Sequence, residues 1–182
     1  MSKQKRTPHR RSAYVYPVPE GSPAAAAAFE QACREAARRQ GFHLAASPAA
    51  ATVALAPLLR RKLAPAERSA PLLGTLVFHP SALPLHRGPD AIRQTLAARE
   101  RVSAASWFWC DGGLDTGPVC EQEVVVLDLE EAARDAYAGR FVPAALRALD
   151  RALRGVVEGC PRSVEQDERL ATYESFLPKQ AA

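Results

Sequence analysis

Apolar positions along the chain fall in short runs that switch between a two-residue and a helical period. From Ser12 to Val18, alternating aromatic and β-branched residues end in prolines and predict a strand. Pro23 then opens an Ala-rich segment that reaches about Gln40 and is closed by Gly41, the pattern of a helix. The apolar runs Phe42 to Ala45 and Thr52 to Ala56 read as buried strands of a parallel sheet. Leu59 to Leu73 reads as a short helix and loop, and Leu76 to His79 as a strand stopped by Pro80, which cannot donate to a ladder. Pro89 to Arg101 predicts a helix with Asp90 near its start, Val102 to Trp109 a strand, Cys110 to Gly117 a glycine-dense turn, and Val119 to Leu127 another strand. Apolar residues from Leu129 to Val157 recur at helical spacing, and Gly139 and Pro143 divide that segment into two helices. Strands alternating with helices predict an α/β fold with a mostly parallel sheet. One domain over residues 13–160 is expected, with a basic disordered tail before it (1–12) and an extended segment after it (161–182).

Composition narrows the class. With 47% hydrophobic and 24% charged residues among 182, the chain can build a core, which excludes collagen-like, mucin-like and wholly disordered readings. The net charge of +4 would suggest a nucleic-acid partner if it were spread over the fold. Instead Lys3, Lys5, Arg6, Arg10 and Arg11 precede the first acid, Glu20, leaving 19 basic against 20 acidic residues in a neutral body. Nucleic acid is therefore not an expected partner, and the tail reads as solvated. The charge-free stretch from Gly41 to Leu59 carries His43, Ser47, Pro48, Thr52 and Pro57, so no membrane span is expected. The basic start is not followed by an apolar leader segment, and a cytoplasmic location is expected. Cys33, Cys110, Cys120 and Cys160 form no CxxC pair and read as buried reduced thiols. The histidines and carboxylates show no ligand spacing, so no metal is expected.

Two stretches carry candidate chemistry. Gly112-Gly113-Leu114-Asp115-Thr116-Gly117 places glycines around one carboxylate between two strands. Glycine permits φ > 0 and close approach of backbone to a ligand, so Asp115 sits either on a tight loop whose amides face a bound molecule or on a plain hairpin that it caps. The second stretch runs from His79 to Gly88. A histidine at a strand's C-terminal edge lies where open α/β sheets bind ligands, and Pro80, Pro84 and Gly88 make the loop after it rigid and irregular.

Together these stretches resemble the formyltransferase family, whose pattern is Asn-x-His-x-Ser-Leu-Leu-Pro-x-x-Arg-Gly followed further on by Gly-Leu-Asp-x-Gly. His79, Ser81, Leu83, Pro84, Arg87, Gly88, Leu114, Asp115 and Gly117 stand at matching positions. The likeness is to the hydrolase-domain branch found in 10-formyltetrahydrofolate dehydrogenases, and also to the catalytic domain of methionyl-tRNA formyltransferases. The Trp107-Phe108-Trp109 strand, the run from Asp111 to Pro118, and Ala171-Thr172-Tyr173-Glu174 carry it. In that branch an aliphatic residue replaces the family's Asn, and here the position is Val77.

The resemblance implies a Rossmann-like, mostly parallel sheet that lacks the family's usual first strand and glycine loop, because only the basic tail precedes Ala13. Either Ser12 to Val18 takes that place, or the sheet is completed by a partner subunit or a second copy. It implies 10-formyltetrahydrofolate as formyl donor, cleaved by hydrolysis or by transfer to an amine. In that reading His79 is general acid and oxyanion partner, and Asp115 orients it and takes the nucleophile's proton. The pterin would lie between the loop bearing Leu58 and Leu59 and the turn bearing Gly112, Gly113 and Leu114, beside Val77. Ser81, Arg87, Gly88 and Gly117 would support the loops, and Arg60 and Arg61 would face the folate glutamate. The alternative is a folate-binding or structural subunit that keeps the motif without turnover.

Overall fold

The computed structural model describes residues 11–173; most of the basic tail and the last residues of the extended segment lie outside them. Six strands form one sheet: β1 (Ser12–Val15), β2 (His43–Leu44), β3 (Val53–Ala56), β4 (Thr75–His79), β5 (Val102–Trp109) and β6 (Val119–Val126). Their order is β2-β1-β3-β4-β5-β6. The first four are mutually parallel, whereas β5 runs antiparallel to β4 and β6 antiparallel to β5. The sheet is thus mostly parallel by strand direction, with an antiparallel extension at one edge.

β1 decides between the two alternatives left by the sequence. Ala13 pairs with Leu44 on one side and with Val53 on the other, so Ser12–Val15 fills an interior position of the sheet, the first of those alternatives. Short crossovers make this possible: only a 3₁₀ turn, Pro48–Ala50, separates β2 from β3. β2 is also shorter than expected and lies on the sheet edge, with His43 exposed, so it is not a buried strand.

Helices α1 (Ala24–Arg39) and α5 (Val142–Glu158) pack on one face of the sheet. Their apolar stripes, Phe29, Cys33 and Ala36 on one and Ala145, Leu149 and Leu153 on the other, close over Val15, Leu55, Leu76, Phe78 and Trp107. The remaining helices are short: α2 (Pro65–Arg68), α3 (Ala91–Ala97) and α4 (Ala133–Ala136). Gly139 and Pro143 do not separate two helices as predicted. A π turn over Tyr137–Phe141 joins α4 to α5, which accommodates a proline that cannot donate a backbone hydrogen bond.

The opposite face is covered by loops. Tyr16, Ala54, Ala56, Leu63, Val77, Leu83 and Phe108 form a smaller apolar cluster there. Of the cysteines, Cys33 and Cys120 are buried as expected, but Cys110 is half-buried and Cys160 exposed; all are free. No helix among the described residues is long and apolar enough to cross a membrane.

Candidate active site

Strand alternation sends Leu76 and Phe78 into the helix-covered core and leaves Val77 and His79 on the loop-covered face. β4 ends at His79, immediately before Pro80, and the chain enters a loop whose polar groups are nearly all used. Ser81 Oγ donates to Leu85 O (2.6 Å), and Ser81 O accepts from Ser106 Oγ (2.5 Å). Gln122 Nε2 donates to Leu83 O (3.0 Å) and to Ser106 Oγ (2.9 Å), so β5 and β6 brace the loop from below. His86 adopts φ 53° and Gly88 φ 95°, which turn the chain back over the sheet.

The turn after β5 folds over the same face. Asp111 organises it by accepting from Gly113 N (2.9 Å) and from Thr116 Oγ1 (2.8 Å). The expectation that its glycines supply positive φ is corrected: Gly112, Gly113 and Gly117 are not in that region, and Asp115 itself is, at φ 57°. Two of the glycines serve close packing instead. A Cβ on Gly117 would stand 1.8 Å from the Trp109 carbonyl oxygen, and one on Gly113 would stand 1.9 Å from Thr116 Oγ1. Asp115 is among the residue types that tolerate the left-handed region, and that conformation aims its carboxylate inward.

His79 and Asp115 meet there. His79 Nδ1 lies 3.6 Å from Asp115 Oδ2, with side chains 7% and 14% exposed. The same Oδ2 accepts from Gly88 N (2.8 Å). His79 Nε2 lies 2.8 Å from His86 O; a carbonyl only accepts, so Nε2 carries a hydrogen and Nδ1 faces the carboxylate. Burial pushes the His79 pKa below its ordinary value, and the nearby Asp115 charge offsets that only in part. A neutral imidazole with Nδ1 bare beside a carboxylate is two acceptors face to face, an arrangement suited to taking up one shared proton.

A segment outside both motifs holds them together. Residues 164–173 run along the surface, with Val164 bridging to Val119 and Tyr173 to Arg87. Thr172 Oγ1 accepts from His86 N (2.8 Å), and Glu168 pairs with the buried Arg87 (2.7 Å). Gln166 reaches Arg87 on one side and the Asp115 and Gly117 carbonyls on the other. Sequence reasoning singled out Thr172 only through the resemblance and missed Gln166 and Glu168, which sit in a polar run with no periodicity to mark them.

The residues expected to hold a ligand are not all brought together. Val77 and Leu59 pack with the Leu63, Leu83 and Phe108 cluster. Leu58 and Leu59 line a cleft of about 400 Å³ with Tyr14, Tyr16, Pro48 and Arg61, and no residue of the 111–116 turn borders it. Arg61 is held by Glu67 rather than left free for a ligand. Arg68 on α2 reaches the turn, with both terminal nitrogens 3.9 Å from where a Cβ on Gly112 would stand. Among the described residues no three metal-ligating side chains cluster.

Residues 15–153 match the model of a family described as formyl transferase. Over 113 residues, 62% of this chain and 12% of the relative, the sequence is 36% identical to human mitochondrial 10-formyltetrahydrofolate dehydrogenase, so the chain spans a small part of that protein. It is also 36% identical over 120 residues to methionyl-tRNA formyltransferase of Chloroflexus aurantiacus, covering 62% of this chain and 36% of that one. Among solved structures, HypX from Aquifex aeolicus in complex with tetrahydrofolic acid aligns with a TM-score of 0.74 at 17% identity, over 92% of this chain and 30% of its own.

Proposed function

This chain belongs to the formyl transferase family, and we propose that it cleaves the formyl group of 10-formyltetrahydrofolate, with His79 and Asp115 as the acting pair. The observation that carries this reading is the 3.6 Å approach of His79 Nδ1 to Asp115 Oδ2 at the end of β4. The folate-related relatives supply the class of donor.

In this reading water or an amine attacks the formyl carbon, and its proton passes to the Asp115 carboxylate. Nδ1 of His79, the ring nitrogen left open by the Nε2–His86 O bond, faces that carboxylate and shares the proton, and the Nδ1–H so formed is the donor offered to the developing oxyanion. The carbon–N10 bond then breaks with its electron pair on N10, which takes the proton from the pair. Tetrahydrofolate leaves, together with formate when water attacks or a formamide when an amine does. Gly88 N–H holds the carboxylate throughout.

Val77 shapes the outcome. It is buried among apolar side chains and offers no donor to the oxyanion. Loss of one such donor costs about 10²- to 10³-fold in rate, so turnover is slow. An aliphatic there also removes a polar group that could position an amine, which favours water as nucleophile.

The test is to incubate the protein with 10-formyltetrahydrofolate and follow tetrahydrofolate release by absorbance, with and without small amines. Release without amine identifies hydrolysis, and release that requires amine identifies transfer. Binding without release identifies a non-catalytic folate-binding subunit, and the absence of both overturns the reading.

A further inference from the structure

We propose that Gln166 is a positioning residue: through one side-chain amide it joins the histidine loop to the aspartate turn and thereby sets the separation of His79 and Asp115. The consequence for turnover rests on the reading above, that this pair acts on a formyl group.

Every polar atom of the Gln166 side chain is committed. Oε1 accepts from Arg87 Nε (3.1 Å) and Nη2 (2.8 Å), while Nε2 donates to Asp115 O (2.9 Å) and Gly117 O (2.7 Å). The orientation is forced. Flipping the amide would set its NH₂ against guanidinium donors and its oxygen against two carbonyls. The hydrogen bonds also close a ring, because Gly88, next in the chain after Arg87, donates to Asp115 Oδ2. Asp115 is therefore gripped by its carboxylate from the histidine loop and by its carbonyl from Gln166.

Asp115 needs that grip. At φ 57° it occupies a region that aspartate tolerates but that is only one of several open to it in a turn, and the direction of its carboxylate follows from that φ. The histidine loop, by contrast, has other anchors on the same segment. Glu168 accepts twice from Arg87 (2.9 and 2.7 Å), Thr172 Oγ1 accepts from His86 N, and Thr172 O accepts from Arg87 N (3.0 Å). Removing the Gln166 amide leaves the loop held and frees the turn, so the carboxylate drifts from the imidazole while the fold persists.

The experiment reads His79 directly in the full chain. Its imidazole is titrated by NMR, with the resonance assigned through His79→Ala, in the wild type, Gln166→Met, Glu168→Gln and Asp115→Asn. The groups facing the ring are Asp115 and His86. Gln166→Met is expected to move the His79 midpoint downward toward that of Asp115→Asn and to lower formyl release at least about 10-fold, within the range for a misplaced acid–base group. Glu168→Gln, which touches only the loop side, should leave the midpoint in place. An unchanged His79 midpoint in folded Gln166→Met overturns the proposal. If that variant does not fold, Gln166→Asn, too short to serve Arg87 and the turn together, carries the same test. A shifted midpoint in a protein that releases no formyl group upholds the positioning role and sinks the catalytic reading instead.

Discussion

The two faces of the sheet are built from the same strands and do different work. On the helix-covered face, Phe29, Phe78 and Trp107 stack edge-on and tilted at centroid distances of 5.2 to 6.1 Å, and Trp107 satisfies its one polar atom on Ala145 O (2.8 Å). The loop-covered face buries His79, Ser81, His86 and Arg87, each tied to neighbouring backbone or side chains. Burial of apolar area sustains the first face, and a hydrogen-bonded frame shapes the second. Truncations on the first should therefore register as large stability losses, while changes to the polar side chains of the second act chiefly on the chemistry at neutral pH.

The sharpest contrast comes from Trp107→Ala, which empties a site with no solvent access and should cost about 3–5 kcal/mol in denaturant unfolding. Next is a pair of glycines on the other face. Gly117→Ala forces a Cβ onto a backbone carbonyl and should cost about 1–3 kcal/mol, displacing Asp115. Gly112→Ala meets nothing closer than 3.9 Å and should leave the melting temperature in place. Equal effects from the two would mean that the turn is not packed as described.

Acid is expected to act through His79. Its folded pKa lies below the ordinary 6.5, so the unfolded chain binds the proton more readily. The stability this contributes is complete above about pH 6.5 and is lost as pH falls from there toward the folded value. Melting scans at pH 7.5 and 5.5 should show a smaller drop for His79→Ala than for the wild type. The smallest effect belongs to Arg61→Ala: its ion pair with Glu67 is largely exposed, and removal should change stability by less than about 1 kcal/mol.

Much of this division was legible in the sequence. Short apolar runs located β3, β4, β5 and β6 to within a residue or two, helped by nearby proline and glycine breaks. β1 was legible as a strand, but not its interior place, which depends on pairing with β2 and β3 and not on its own residues. α3 is shorter than the run from Pro89 to Arg101 suggested, since Asp90 adopts φ 64° and Arg99 φ 55°, and neither continues a helix. His79 and Asp115 were legible through their motifs and the resemblance they carry. Gln166 was not, because its role lies in bonds to backbone carbonyls far along the chain, which no spacing records.

Asp115→Asn tests the central claim most directly. The variant keeps the size of the side chain and the acceptor facing Gly88 N–H while removing the charge beside His79. Tetrahydrofolate release from 10-formyltetrahydrofolate is measured beside the wild type, with thermal unfolding of both proteins. Formyl release is predicted to fall at least about 10²-fold at an unchanged melting temperature, as for loss of a positioned base. Wild-type turnover in a folded Asp115→Asn protein would contradict the account.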